Sequence, residues 1–376
     1  GKHVRLQAMY RVLLVGGGTA GHVEPALAVG DWLLNSASQN IEITCEFIGT
    51  RGGIENDLVP AAGLKMHHIV KSPLPRRLTL KALLWPIKFA TAFLQALRIV
   101  KSADLVLGFG GYVSAPCYLA AKFAKVPLFI HEANALPGWA NKLGARFAAQ
   151  TLIAFPSTST TEQTFKGAKL VGMPIREEIF EISKLSKSER AGVWEKTYRE
   201  LGIDRSKRTI FVFGGSLGAR SINNAIADAL PELLNSGYNV IHGVGRGNVL
   251  PKALPGYAPL AYITNMAQMY IASDLIISRG GAISCAEIAA SNSYALIVPL
   301  AIGNGEQIAN AQELIAKGAG QLCLNADFTG RWLLSNIEGL MAEAIAWKSE
   351  VREAQSDPAA AMIGELVLEN LLGGSK

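Results

Sequence analysis

The chain has 376 residues, of which about half are apolar and 18% are charged. This length fits about two domains of roughly 150 residues each, and the apolar content excludes a disordered chain. A net charge of +6 favours anionic partners, such as phosphorylated substrates or an acidic lipid surface. The four cysteines form no CxxC pair, which predicts reduced thiols and neither a zinc site nor a disulfide framework.

The predicted elements alternate, in chain order, between strands and helices. A strand at 11–15 enters the glycine loop GGGTAGH, and a helix is predicted to begin near Glu24 and Pro25. A second strand covers 43–48, and LVLGFGGYVSAP and VPLFIHEANALPG then each contain a strand that ends in a loop. Such alternation predicts a parallel sheet joined by right-handed crossovers.

The same pattern restarts in the second half of the chain, at TIFVFGGSLGARSIN. This predicts two doubly wound domains, each opened by a glycine turn, with a break near Gly172 and Pro174. A final helix from about 358 to 372 could cap either domain. No apolar run reaches the ~20 residues of a membrane-spanning helix, so we expect contact with a membrane surface at most.

Two glycine loops indicate sites where backbone approaches a ligand. Gly16, Gly18 and Gly21 satisfy GxGxxG, but the second strand ends in no acid that could hold a ribose, which disfavours an NAD site. GGSLG matches the nucleophile elbow of serine hydrolases, yet no histidine follows it in a late loop. This favours Ser216 as a phosphate-binding hydroxyl at the start of a helix.

Five polar residues are candidates for chemistry. His22 lies where a helix N-terminus favours the neutral, base-competent imidazole, with local hydrogen bonding as the alternative. Glu132 and Asn134 follow a predicted strand, where ligands of α/β proteins bind. Glu287 lies inside an apolar helix, so its carboxylate needs either a ribose diol or a salt bridge. Gln307 could bind a sugar hydroxyl or cap the helix that it begins.

The segment 73–101 combines basic residues with large apolar ones. This composition fits a helix that lies at an anionic lipid interface, and an ordinary amphipathic helix packed on the sheet is the alternative. Nucleic acid is not an expected partner, because the chain has no aromatic RNP-type strand or zinc finger and its charge is diffuse.

Seven motifs occur together in one order: GGGTAGHVEPALAV, GFGGYVSAP, HEANALPGWANK, GMPIREEI, GGSLGARSIN, SRGGAISCAEIAA and GNGEQIANA. This set and order of motifs resembles the MurG family of bacterial cell-wall synthesis, and the resemblance covers the chain from about Arg11 to Cys323. Members of this family are UDP-N-acetylglucosamine:undecaprenyl-pyrophosphoryl-muramoyl-pentapeptide N-acetylglucosaminyltransferases. The resemblance implies the GT-B fold, an α/β architecture of two Rossmann-like, doubly wound parallel-sheet domains that face each other across a cleft.

The resemblance also implies an activity and domain roles. N-acetylglucosamine would pass from UDP-GlcNAc to the C4 hydroxyl of the muramoyl sugar of lipid I, with inversion, to give lipid II. Residues 1–171, joined by a C-terminal helix within 358–376, would bind lipid I and face the membrane, and residues 172–357 would bind UDP-GlcNAc. No metal at the nucleotide and no cofactor are expected. The implied location is peripheral, on the cytoplasmic face of the cell membrane, with a cell-wall synthesis complex as a further partner.

Site residues follow from the matched motifs. The implied catalytic residues are His22, as the proton acceptor, and Glu132. The implied donor-binding residues are Thr19, Ala20, Gly21, Asn134, Arg176, Ser216, Ile263, Glu287 and Gln307. The implied acceptor-binding residues are Gly17, Gly18, Gly110, Gly111 and Tyr112.

The sequence departs from the family's pattern within the donor motifs. Gly280 stands where serine is common, and Leu217 stands where glutamine is common. Thr264 and Asn265 stand where acidic residues are common. These departures leave individual donor contacts open.

Two other functions fit the motifs. A UDP-N-acetylglucosamine 2-epimerase shares the fold but needs no lipid, and a non-catalytic module would bind a nucleotide sugar or a lipid without transfer. The segment 73–101 favours the transferase over the epimerase.

Overall fold

The computed structural model describes residues 8–36, 40–215, 218–300, 305–350 and 358–373. The chain divides into two compact units, the first of residues 1–175 and 357–376 and the second of residues 176–356. Within the described ranges, no helix is both long enough and apolar enough to cross a bilayer.

Strands and helices alternate along the described part of the first unit. Its strands are β1 (Ala8–Val15), β2 (Ile41–Gly49), β3 (Lys65–His68), β4 (Leu105–Gly108), β5 (Leu128–Glu132), β6 (Gln150–Ile153) and β7 (Lys169–Leu170). Its helices, before the chain enters the second unit, are α1 (Ala20–Asn35), α2 (Glu55–Ala61), α3 (Leu80–Leu83), α4 (Trp85–Val100), α5 (Ser114–Ala124), α6 (Trp139–Ala145) and α7 (Ser157–Thr161), with a 3₁₀ turn at Gln163–Phe165.

These strands form one parallel sheet in the order β3-β2-β1-β4-β5-β6-β7. Val12 and Leu14 of β1 pack with α1, whereas Leu13 and Val15 pack with α4 and α5 on the opposite face. The sheet is therefore doubly wound. Because β1 has β2 on one side and β4 on the other, the loop after β1 lies at the point where the strand order reverses, which is where ligands of such sheets bind.

The second unit repeats this plan. Its helices are α8 (Glu177–Ile182), α9 (Lys187–Leu201), α10 (Arg220–Asn235), α11 (Met266–Ala272), α12 (Ala282–Ala290), α13 (Glu306–Ala316) and α14 (Gly330–Ser349). Its strands are β8 (Arg208–Phe213), β9 (Tyr238–Gly243), β10 (Tyr257–Leu260), β11 (Leu275–Ser278), β12 (Ala295–Ile297) and β13 (Gly320–Leu322). The parallel sheet has the order β10-β9-β8-β11-β12-β13, so the loop after β8 takes the position that the loop after β1 has in the first unit.

The last helix, α15 (Ala359–Gly373), packs on the first unit. Ile363 and Val367 are fully buried in the core that α1 covers. Trp32 of α1 lies against Gly364, where an added Cβ would be 2.0 Å from the indole ring. The sequence left open which of the two domains this helix covers, and in the structure it covers the first unit.

The predicted start of α1 near Glu24 is wrong. The helix begins at Ala20, and Pro25 lies inside it. Thr19 precedes the helix with an extended backbone, φ −137° and ψ 156°. Because Pro25 is beyond the first turn, its missing N–H leaves the carbonyl of Gly21 without the usual helical donor. Residues 20–23, which the sequence assigns to the glycine loop, thus form the first turn of the helix.

Candidate functional site

Loops after β1 and β4 meet at the carboxyl edge of the first sheet. A Cβ on Gly111 would lie 2.4 Å from the carbonyl oxygen of Gly17, and Gly111 has φ +91°. Glycine is therefore required on both counts where the two loops touch. This contact brings together Gly17 and Gly18 of the first loop with Gly110 and Gly111 of the second.

His22 is held by the first of these loops. Its Nδ1 lies 3.0 Å from the carbonyl oxygen of Gly17 and 3.2 Å from Oγ1 of Thr19. Because a carbonyl oxygen can only accept, Nδ1 carries the proton in this hydrogen bond, and Nε2 is the basic nitrogen of a neutral imidazole. A Cβ on Gly110 would lie 3.4 Å from Nε2, so the basic edge of the ring faces the second loop.

The other residues predicted from these two motifs directly follow the contacting glycines in the chain. Thr19 precedes α1, and Ala20 and Gly21 are its first two residues. Tyr112 is half-buried, and its ring centroid lies 6.3 Å from that of Trp139.

Glu132 is buried at the end of β5 and bonds to the loop that follows it. Oε2 accepts from the backbone N–H of Asn134 at 3.1 Å, and Oε1 accepts from the N–H of Gly138 at 2.9 Å and from Nδ2 of Asn141 at 3.3 Å. Burial raises the pKa of Glu132 to about 7, and these hydrogen bonds oppose the rise. The carboxyl group thereby orders the loop that carries Asn134.

Sequence reasoning missed two side chains that support the same loop. Asn141 is buried, and its Oδ1 accepts from the hydroxyl of Tyr118 at 2.7 Å. Thr158 is also buried, and its hydroxyl donates to the carbonyl of Ala135 at 2.8 Å. Asn141 belongs to the motif HEANALPGWANK and could have been found there, whereas no pattern in the sequence indicates Thr158.

In the second unit, Arg176 and Glu287 form an ion pair. Nη2 of Arg176 lies 2.9 Å from Oε1 and 2.8 Å from Oε2 of Glu287, and Nε lies 3.1 Å from Oε2. Tyr270 donates its hydroxyl to Oε1 at 3.4 Å. The Glu287 side chain is 3% exposed, and that of Arg176 is 38% exposed. The sequence allowed either a ribose diol or a salt bridge to satisfy the Glu287 carboxylate, and the structure contains a salt bridge with Arg176.

Gln307 and Asn310 of α13 hold the loop after β11. Oε1 of Gln307 accepts from the N–H groups of Gly280 at 3.2 Å and Leu300 at 2.8 Å, and Asn310 donates to the carbonyl of Gly280 at 3.0 Å. A Cβ on Gly280 would lie 2.4 Å from the carbonyl oxygen of Gln307. A Cβ at this position would therefore be crowded by the backbone of α13.

Ile263 follows β10 and is buried against β9, where a Cβ on Gly243 would lie 2.6 Å from its Cδ1. Two residues later, Asn265 caps α11, since its side chain accepts from the N–H of Gln268 at 3.1 Å. Asn265 therefore has a local role as an N-cap, a position at which asparagine and aspartate are about equally favoured. Nothing in the structure explains the departure at Thr264.

Ser216 and Leu217 lie outside the described residues, so their predicted roles have no structural description. The glycines that flank them are described. Gly215 has φ +98° and Gly218 has φ +77°, and a Cβ on Gly218 would lie 2.1 Å from the carbonyl oxygen of Val244. Gly218 thus lies directly against the loop after β9.

Each unit therefore has its own group of predicted residues at the carboxyl edge of its sheet. Across the residues that the structure describes, no group of three or more His, Cys, Asp or Glu side chains is arranged to hold a metal ion.

Comparison with known proteins gives the family. Residues 12–153 match the glycosyltransferase family 28 N-terminal domain, and residues 209–365 match the family 28 C-terminal domain. A UDP-N-acetylglucosamine--N-acetylmuramyl-(pentapeptide) pyrophosphoryl-undecaprenol N-acetylglucosamine transferase of Corynebacterium efficiens is 42% identical over 332 residues, which is 88% of each chain. The enzyme of the same name from Frankia casuarinae is 41% identical over 362 residues, which is 93% of each chain.

A solved structure agrees with these relatives. The crystal structure of Acinetobacter baumannii MurG has a TM-score of 0.72 and 27% sequence identity, and the match covers 96% of this chain and 99% of that one. The two parallel-sheet units are those of the GT-B fold, as the sequence motifs predicted. The chain therefore belongs to glycosyltransferase family 28 and, within it, to the MurG family of N-acetylglucosamine transferases.

Proposed function

We propose that this chain transfers N-acetylglucosamine from UDP-GlcNAc to the C4 hydroxyl of the muramoyl sugar of lipid I, with inversion, and so makes lipid II. Family membership supports the class of reaction. The observation that carries the proposal is the hydrogen bond between Nδ1 of His22 and the carbonyl of Gly17, since it leaves Nε2 basic beside the Gly110 loop.

The first unit is the acceptor domain in this proposal. Gly17, Gly18, Gly110 and Gly111 would let the backbone approach the acceptor closely, and Tyr112 would pack against it. The acceptor hydroxyl would lose its proton to Nε2 of His22 while its oxygen attacks the anomeric carbon from the face opposite UDP. A base positioned in this way contributes typically ~10²–10⁴-fold to the rate.

Glu132 takes a supporting role in the proposal. Its oxygens already accept from Asn134, Gly138 and Asn141, and its side chain is 1% exposed. A carboxyl group engaged in this way is better suited to holding Asn134 in place than to receiving a proton from the substrate. We therefore keep His22 as the base and treat Glu132 as a positioning residue.

The second unit is the donor domain in this proposal. Negative charge that develops on the departing diphosphate would be stabilised by the guanidinium of Arg176, by the N-termini of α10 and α12, and by the backbone N–H groups and serine hydroxyl of the GGSLG motif. These groups would act without a metal ion at the nucleotide. Thr19, Ala20 and Gly21, at the N-terminus of α1, would add backbone N–H groups to the donor contacts.

Recognition of the rest of the donor falls to four further residues. The backbone at Ile263 would bind uracil, and Glu287 would bind the ribose hydroxyls. Because both oxygens of Glu287 contact Arg176, a ribose would have to share them with the guanidinium. Gln307 would face the sugar through its amide N–H₂, since its Oε1 is taken by backbone N–H groups, and Asn134 would add a contact from the first unit.

We also propose that the segment 73–101 binds an anionic membrane surface on the cytoplasmic face, which would bring the enzyme to its lipid substrate. In α4, Ala92, Ala96 and Val100 pack inward, so this helix does pack on the sheet. However, no residue of α3 is buried, and exposed apolar side chains remain: Leu80 at 84%, Leu83 at 72% and Ile87 at 65% exposed.

Basic residues accompany this apolar surface, since Arg76, Arg77, Lys81 and Lys88 are all exposed. Exposed leucines beside arginines and lysines match a surface that inserts shallowly between acidic headgroups. A cell-wall synthesis complex at the same membrane is a further proposed partner.

The test of the proposed function is release of UDP from UDP-GlcNAc, measured with and without a soluble lipid I analogue. We expect release only with the acceptor, a β-1,4-linked product, and unchanged rates in excess EDTA. Formation of a C2 epimer without acceptor would instead indicate an epimerase, and donor binding without release would indicate a binding module. Loss of activity in EDTA, restored by a divalent cation, would contradict metal independence.

A further inference from the structure

Glu55, the first residue of α2, is a fully buried acid that belongs to none of the seven motifs. Its Oε1 accepts from the backbone N–H and the hydroxyl of Thr50, at 3.2 and 3.3 Å, and its Oε2 accepts from the N–H of Gly18 at 3.4 Å. All three partners donate. A carboxylate can accept at both oxygens, whereas a carboxamide of the same shape would place an N–H₂ group against a donor.

The surrounding backbone is shaped to receive this carboxylate. A Cβ on Gly17 would lie 2.9 Å from Oε1, one on Gly49 would lie 2.8 Å from Cγ, and one on Gly53 would lie 2.1 Å from Oε2. Glycines from the loop after β1, from the end of β2 and from the turn before α2 therefore pack around one side chain. Larger residues at these positions would displace the carboxylate.

Glu55 and His22 bind opposite sides of one peptide group. The N–H of Gly18 donates to Glu55, and the carbonyl of Gly17, which belongs to the same planar peptide unit, accepts from Nδ1 of His22. Because the N–H and C=O of a trans peptide point in opposite directions, fixing the direction of one fixes the direction of the other. We infer that Glu55 is a positioning residue that holds His22 in its Nδ1–H tautomer by orienting the Gly17–Gly18 peptide.

This inference deepens the proposed function and rests on it for the catalytic importance of His22, although the link from Glu55 to His22 can be measured without catalysis. The main variant is Glu55→Gln, which keeps the side-chain volume and replaces one acceptor oxygen with a donor. Asp57→Asn is the matched control, because Asp57 is exposed on the same helix and near the same end. Gly53→Ala is a second route, since its methyl group would push the carboxylate without removing it.

We expect Glu55→Gln to lower kcat about 10- to 100-fold with little change in KM for UDP-GlcNAc, because ~1 Å of misplacement near a reacting group can cost that much. Gly53→Ala should lower kcat in the same direction, and Asp57→Asn should match the wild type. In ¹⁵N spectra of histidine-labelled protein, the His22 ring signals should lose the Nδ1–H pattern in Glu55→Gln and in Gly53→Ala but keep it in Asp57→Asn.

Unchanged His22 ring signals in a folded Glu55→Gln or Gly53→Ala variant would overturn the inference. If Glu55→Gln does not fold, the ring signals of Gly53→Ala decide alone. A wild-type protein that transfers no sugar would contradict the proposed function, yet the ¹⁵N comparison would still test the link between Glu55 and His22. Wild-type transfer combined with unaltered ring signals would contradict the inference alone.

Discussion

Arg176 and Glu287 are 111 residues apart in the chain and bind each other through both oxygens of the carboxylate. The pair joins the residue just before α8 to the middle of α12, within one unit. These are the two residues that we propose bind the diphosphate and the ribose. The guanidinium thus compensates the buried Glu287 and would approach the nucleotide together with it.

We predict that Arg176→Ala raises KM for UDP-GlcNAc at least about 10-fold and also lowers Tm. Breaking a fully buried ion pair costs about 3–5 kcal/mol, and the cost here should be smaller because 38% of the Arg176 side chain is exposed. Steady-state kinetics and thermal unfolding measure the two effects. Arg205→Ala, which breaks an exposed pair with Glu195, is the control and should change neither. An unchanged KM in Arg176→Ala would remove this residue from donor binding.

For His22→Ala, we expect kcat to fall ~10²–10⁴-fold, because the base that accepts the hydroxyl proton is lost. Affinity for UDP, measured by calorimetry, should change little. Turnover close to that of the wild type would exclude His22 as the base and would favour solvent as the acceptor of the hydroxyl proton.

Removing basic charge from the segment 73–101 should weaken membrane binding without affecting turnover of a water-soluble acceptor. Arg76→Gln with Arg77→Gln removes two basic residues, each worth about 1 kcal/mol at an acidic surface, so binding to anionic vesicles should fall about 30-fold. Co-sedimentation with vesicles that contain phosphatidylglycerol measures the change.

Two exposed apolar residues of the second unit provide the control for this experiment. Val249 and Leu250 are 92% and 51% exposed. Val249→Ser with Leu250→Ser should leave vesicle binding as in the wild type. If that variant weakens binding and the arginine variant does not, the membrane surface lies elsewhere on the protein.

His242 makes part of the stability dependent on pH. It is buried between Tyr257, whose hydroxyl lies 2.8 Å from Nδ1, and Asn223, whose Oδ1 lies 2.9 Å from Nε2. Burial lowers its pKa to about 4. Since the unfolded chain has a histidine pKa of about 6.5, the unfolded state binds a proton first as the pH falls. The contribution of His242 to stability is therefore present above pH ~6.5 and is lost between about pH 6.5 and pH 4.

We predict that the Tm deficit of His242→Gln relative to the wild type shrinks as the pH falls through this window. Glutamine keeps a polar group in the site but does not titrate. Thermal unfolding at intervals of half a pH unit measures the difference. A deficit that stays constant from pH 7 to pH 4 would mean that His242 does not titrate differently in the folded and unfolded states.

Much of the fold could be predicted because its signals are local. Each strand of a parallel sheet is a short apolar run, and each glycine loop lies directly between a strand and a helix, so TIFVFGGSLGARSIN repeats the order of the first motif. The location of His22 beside the first glycine loop could be predicted for the same reason, since the loop and helix that hold it are contiguous in sequence.

The remaining features depend on contacts between distant segments. Glu55 lies in a helix whose sequence, ENDLVPA, is typical of an exposed surface helix, and its burial follows only from the meeting of β1, β2 and α2. The same holds for the ion pair between Arg176 and Glu287 and for the packing of Trp32 on Gly364. The residues of each pair are far apart in the sequence, and no local pattern indicates that they meet. The sequence predicts a start of α1 that is too late, because proline is typical of the first turn of a helix and Pro25 lies beyond that turn.

The position of α15 has a consequence for how the protein is made. This helix supplies Ile363, Val367 and Leu371 to the core beneath α1, yet the ribosome synthesises it after the whole second unit. Part of the apolar face of α1 therefore stays uncovered until α15 has been synthesised. The first unit is therefore completed only after the second unit has been synthesised, and its uncovered apolar surface favours aggregation during that interval.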